Sequence, residues 1–241
     1  MEALAFSLTF SAIAFLAFLS LRYLDKRLIY GFGILFAVYL GLDDLATGLP
    51  SSSAAFRIID GQWNWSGKIY SLLLSVAVIV GLGVKAKAVG LTLEQKNVGT
   101  SLIALCLLTL VSFTLGLVFK PSYPSAETIA FQALMPGLAE EVAYRGIAPI
   151  LLLGLIRGKE PPQGTPWAVV CITAIMFGVW HGLSYSGGTF SFDSVHALFT
   201  FTGGIAYGWL RFNSGSLLLP ILAHSLGNVT FELTALMVDA N

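Results

Sequence analysis

No charged residue interrupts the sequence between positions 102 and 119. A helix of about 20 predominantly apolar residues crosses a ~30 Å hydrocarbon core, and shorter apolar stretches read as helices buried among crossing ones. Seven further stretches share this character, at residues 4–21, 28–42, 70–84, 127–156, 167–183, 195–210 and 217–238. Together the eight predict an all-α, polytopic transmembrane helix bundle of about eight helices, a single integral membrane domain over residues 1–241. The composition agrees, because 56% of the residues are hydrophobic and 11% charged, against roughly 25% charged in an ordinary soluble domain. The formal net charge is zero and no basic or acidic tail is present, which argues against nucleic acid as a partner and leaves membrane lipid as the main one.

The first apolar run has no Lys or Arg before it and ends in Arg22, Lys26 and Arg27, the reverse of a signal peptide's charge order, so it reads as a retained span. Connections are expected at 48–53, 121–125, 158–166, 184–193 and 213–216, with Trp63 and Trp65 as candidate interfacial anchors in the longest loop, 43–68. Lys and Arg mark cytoplasmic loops. With eight spans, Arg22, Lys26, Arg27, Lys85, Lys87, Lys96, Arg157, Lys159 and Arg211 collect on one side, and Arg57, Lys68 and Lys120 on the other. That asymmetry predicts an integral protein of the cell's inner or plasma membrane, if the host is a prokaryote, with both termini outside. Cys106 and Cys171 fall in apolar runs and read as small buried hydrophobes.

A charge near the bilayer centre costs from about 2.5 kcal/mol upward, so it needs a partner and usually a purpose. The fifth stretch reads PGLAEEVAYRG. Glu141 and Arg145 stand four residues apart, on one helix face where they pair. Glu140, rotated by about 100°, is left to face protein or water, where a carboxylate is suited to taking a proton. Phe177 and His181 share a face of the sixth helix, and His224 and Asn228 a face of the eighth, again at four-residue spacing. Each pair alone reads equally well as satisfied core or interhelical glue. Taken together, two carboxylates, two histidines and an asparagine form the strongest proton-handling or oxyanion-binding set in the apolar layer. Counting at 1.5 Å per residue sets Glu140 roughly 10 Å and His224 about 12 Å from the cytoplasmic boundary, but His181 about 21 Å from it, so convergence demands a tilt or a late membrane entry of helix six.

In this order the trio Glu140-Glu141-x-x-x-Arg145, Phe177-x-x-x-His181 and His224-x-x-x-Asn228 resembles the CPBP intramembrane proteases, the family of type II CAAX prenyl endopeptidases and bacteriocin-processing proteins. The resemblance covers the half of the chain from helix five onward, within residues 125–240. It implies an endopeptidase acting on a membrane-embedded or lipid-anchored protein or peptide substrate near the cytoplasmic face. It also implies that Glu140 and His181 activate water, that His224 and Asn228 serve the oxyanion, and that Glu141, Arg145 and Phe177 give structural support. Pro136 frees a backbone carbonyl just before the glutamates.

No cofactor is favoured. Zinc held by Glu140, His181 and His224 stays open as the alternative, and the absence of an HExxH sequence weighs against it. A non-enzymatic transporter or bacteriocin-immunity-type binding protein is the competing function, although no repeated halves support a transporter. His196 reads as interfacial and Glu232 as facing the bundle. Asp43 and Asp44 are expected in water at the end of helix two. Ser184 and Ser186 lack the GxSG context of a serine nucleophile.

Overall fold

The computed structural model describes residues 2–26, 28–156 and 163–238. Arg27, Arg157 and Lys159, counted in the charge asymmetry, lie outside these. The first helix, α1 (Glu2–Leu24), buries Ser7, Phe10, Ala14, Phe18 and Leu21, a spacing of three and four residues that places them on one stripe. This stripe packs against α2 (Tyr30–Ser52). Gly33 of α2 admits the Phe18 ring, and Ser11 Oγ donates to the Ala37 carbonyl at 2.7 Å. α2 runs through Pro50 and so absorbs most of the connection expected at 48–53.

Asn64 caps α3 (Trp65–Gly81), its side chain accepting from the Gly67 N–H at 3.0 Å. After a short turn at Ala86–Val89, α4 (Val98–Phe119) has a mean hydropathy of 2.6. It exposes Leu102, Ile103, Leu107, Leu110, Val111 and Val118, a surface that only lipid would cover favourably. Cys106, expected to be buried, is exposed on it.

The fifth expected helix is not one continuous α-helix. α5 (Ala126–Glu141) passes directly after the two glutamates into a π-helical segment, Val142–Ile147, and resumes as Ala148–Leu153 before Gly154 ends it at a φ of 63°. π segments recur at functional sites because the extra residue per turn re-aims the side chains around it. α6 (Trp167–Gly182) leads into an antiparallel hairpin, β1 (Leu183–Ser186) and β2 (Thr189–Phe192), where a plain loop was expected. α7 (Ser194–Ser214) and α8 (Leu218–Leu233) complete the bundle.

The chain is thus all-α apart from the hairpin. Three helices, α1, α2 and α4, are long and apolar enough to cross a membrane, and α3 and α6 are shorter apolar helices. The other helices of the bundle are shorter or carry charge, and fall outside this length-and-composition criterion. Apolar helices and an apolar outer surface make this an integral membrane protein.

The bundle has two distinct ends. At one, Glu2 accepts from the Gly187 N–H at 3.0 Å, and Glu127 accepts from the Gln62 N–H at 2.9 Å and the Trp65 indole at 3.1 Å. Trp63 stacks on Phe131 there, so both tryptophans tie the 53–64 loop to the start of α5. At the opposite end Arg211 donates to the carbonyls of Val89 and Ala88, and the Leu217 N–H donates to Gly90 at 2.8 Å.

Candidate active site

Glu140 and Glu141 are the last two residues of α5, and both are buried. α8 approaches α5 closely because Gly137 has no side chain: a Cβ there would run into the hydroxyl of Ser225 and the Ile221 carbonyl. That approach brings His224 onto Glu141, with Nδ1 2.8 Å from Oε1. The same carboxylate oxygen lies 3.2 Å from Nη1 of Arg145, as the four-residue spacing predicts. Arg145, 2% exposed, has its guanidinium 4.1 Å from the Phe177 ring centroid and 5.6 Å from that of Tyr207. Two aromatic faces thus cover a cation whose charge is balanced by Glu141.

His181 is the penultimate residue of α6. Its Nδ1 is 2.9 Å from the Phe177 carbonyl. A carbonyl only accepts, so Nδ1 carries the proton and the neutral ring presents its lone pair at Nε2. The same holds for His224, whose Nδ1 donates to the Glu141 carboxylate. Both Nε2 atoms turn to one oxygen: Glu140 Oε2 is 3.8 Å from His181 and 3.9 Å from His224. Glu140, His181 and His224 therefore converge from three helices. His181 meets the others from the end of its helix.

Sequence reasoning assigned Lys68 to a loop side. Instead it lies buried in the first turn of α3, with Nζ donating to Glu140 Oε1 at 2.6 Å. The Trp180 ring covers the ammonium at 4.9 Å, and the Trp180 indole is in turn held by Asp44 at 2.8 Å. Asp43, expected in water, is buried and accepts from Ser71 at 2.6 Å. A lysine three residues into an apolar helix was the available signal, but a charge so near a helix start reads as interfacial until its partner is known.

Asn228 donates to Gln132 Oε1 at 2.9 Å. Both line a cavity of about 610 Å³ together with Glu140, His181, His224 and Lys68. Gln132 gave no sequence signal. His196, set aside as interfacial, also lines the cavity, with its ring centroid 5.6 Å from that of His181. Ser184 belongs to the hairpin and bonds Ser191.

One carboxylate and two imidazoles are a donor set that zinc takes. Glu140 Oε1 already carries the Lys68 ammonium, which leaves Oε2 as the oxygen that faces both imidazoles. Among the described residues no group of three His, Cys, Asp or Glu has the spacing to hold a metal ion.

Compared with known proteins, residues 121–230 match a family model described as type II CAAX prenyl endopeptidase Rce1-like. Residues 121–230 resemble the Rce1-like family. The match takes in a little under half of the chain and includes every residue of the three motifs, in agreement with the resemblance read from the sequence. Rce1-like proteins are intramembrane proteases. No curated protein and no solved structure gives a significant match.

The Lys68–Glu140 contact carries a test of its own. Removing one partner of a buried pair leaves an uncompensated charge. Lys68→Met is expected to destabilise the fold by about 3 kcal/mol, the low end for such pairs because both groups line a cavity. Lys68→Met combined with Glu140→Gln should recover much of that loss, read by denaturant unfolding in detergent.

Proposed function

We propose that the chain is an intramembrane endopeptidase that hydrolyses a peptide bond of a membrane-associated substrate. The observation that carries this reading is the convergence of Glu140 Oε2 with the Nε2 atoms of His181 and His224 in a cavity large enough to admit a polypeptide segment. A water molecule between these atoms donates one hydrogen to the carboxylate and the other to an imidazole lone pair. As its oxygen attacks the scissile carbonyl carbon, Glu140 takes the proton as general base. The developing oxyanion needs N–H donors, which the Asn228 amide, oriented by Gln132, supplies. The proton then passes to the amide nitrogen as the C–N bond breaks, releasing an amine and a carboxylate.

His224 has a double tie, to Glu141 through Nδ1 and toward Glu140 through Nε2. With its N–H given to Glu141, the ring serves the water through the Nε2 lone pair instead of the oxyanion, a different role from the one the sequence motif suggested. Lys68 leaves Glu140 one free oxygen for the reaction and balances its charge. The Rce1-like match supports a substrate held at the membrane by a lipid group or by its own apolar segment. A competing reading draws on the same Lys68–Glu140 pair: a non-enzymatic protein in which the ion pair binds α3 to α5.

Incubation of the purified protein with membrane-tethered reporter peptides, with and without a strong chelator, tests the proposal. Cleavage that is undiminished by the chelator is expected. Chelator-sensitive cleavage would restore zinc to the site, and no cleavage of any tethered peptide would favour the binding protein.

A further inference from the structure

The cavity and the positive charge lie at opposite ends of the bundle. Of the residues lining the cavity, Thr47, Trp63 and Asn64 stand nearest an end of the bundle, which defines its mouth end. They belong to the end where α2 finishes, α3 and α5 begin and the hairpin joins α6 to α7. None of the described residues at the other end, in segments 22–30, 82–97, 154–156, 163–166 and 211–217, contributes to its lining. At that other end stand Arg22, Lys26, Lys85, Lys87, Lys96 and Arg211, four of them on a connection or beside one. Several gather in a second cavity at that end, where Lys87, Lys96 and Arg211 meet residues 163–165. The sequence adds Arg27, Arg157 and Lys159 to connections between the same helix ends.

Among the described residues the mouth end has Arg57, Lys68 and Lys120, and Lys68 is engaged by Glu140. Positive residues in short loops resist translocation, so the richer end stays in the cytoplasm. All connections here are far shorter than the roughly 60 residues below which the rule holds.

We infer that the cavity opens toward the non-cytoplasmic side of the membrane. Its substrate is then a membrane-anchored polypeptide whose scissile bond has been translocated across the bilayer, not the cytoplasmic C-terminus of a prenylated protein. This reverses the cytoplasmic placement that counting along the helices suggested. The helix count misleads because His181 and Lys68 both sit at the mouth end of their helices, while α5 carries Glu140 down to meet them. The side wall points the same way. Phe199, 55% exposed, lies in the mouth-side half of α7 and borders the cavity, so an anchored chain has access from the lipid at that level.

The inference rests on the protease reading, and two measurements separate their failures. First, Gln62→Cys at the mouth end and Leu93→Cys at the basic end, both exposed and uncharged positions, are labelled in intact expressing cells with a membrane-impermeant maleimide. Labelling at position 62 in intact cells, and at position 93 only after lysis, is expected. The reverse pattern overturns the inference whatever the enzyme cuts. Second, one scissile sequence is fused to the same membrane anchor on either its cytoplasmic or its outer flank, and both reporters are co-expressed with the wild type and with Glu140→Gln. Glu140-dependent cleavage of the outer reporter alone is expected. Cleavage of the cytoplasmic reporter alone overturns the inference and leaves the protease standing. Cleavage of neither counts against the protease reading, and the labelling still decides which side the cavity faces.

Discussion

Arg145→Ala is expected to destabilise the protein by about 3–5 kcal/mol, the range for stripping one partner from a buried ion pair. The loss has two sources. Glu141, fully buried, would keep its charge with only the His224 ring to answer it, and the space between Phe177 and Tyr207 would empty. Arg145→Lys should recover only part of the loss, because an ammonium lacks the planar fork that lies against both rings. Denaturant titration in detergent measures both variants. A change below about 1 kcal/mol, the scale of an exposed pair, would mean that His224 takes over the charge and that Arg145 is dispensable to the fold.

His181→Ala is expected to act on the reaction and not on the fold. Its side chain is one-fifth exposed, stands at the end of α6 and borders the cavity, so truncation removes little packing. Cleavage should fall by about two to four orders of magnitude, the range for losing a positioned acid or base, while the unfolding midpoint stays close to that of the wild type. His224→Ala should lower both, since Nδ1 of that ring also satisfies Glu141. If His181→Ala keeps turnover within about tenfold, a general acid or base is excluded at that position and the water-activating role moves to His224.

The three helical motifs were legible because a four-residue spacing is local information. Glu141 with Arg145, Phe177 with His181, and His224 with Asn228 each share a face by helix geometry alone. Their convergence followed from the expense of burying charge, which leaves few arrangements for isolated polar groups in an apolar layer. Lys68 was not legible, because its partner is 72 residues away and no local pattern distinguishes a buried lysine from an interfacial one. Gln132 and Tyr207 escaped for the same reason: their importance lies wholly in what they face. The π segment at Val142–Ile147 includes the buried Arg145 and has no sequence signature.

The hairpin was legible and overlooked. Gly187 and Gly188 both adopt positive φ, a Gly-Gly pair between short alternating runs is a turn signal, and Leu183–Ser186 and Thr189–Phe192 flank it. Span length failed as a guide to α2, where Pro50 was taken as a stop. It lies in the last turn of the helix, where its own carbonyl accepts from Arg57 Nε at 3.2 Å.

The central claim is that Glu140 is the base, and the isosteric variant Glu140→Gln tests it most directly. Glutamine keeps the shape and a hydrogen-bonding oxygen but cannot accept the proton from water. With purified wild type and Glu140→Gln at equal concentration on the same membrane-tethered reporter, product formation by the variant should fall by about two to four orders of magnitude, with unfolding in detergent showing that the variant is folded. Wild-type turnover by folded Glu140→Gln would contradict the account and reduce the Glu140, His181 and His224 cluster to a link between helices.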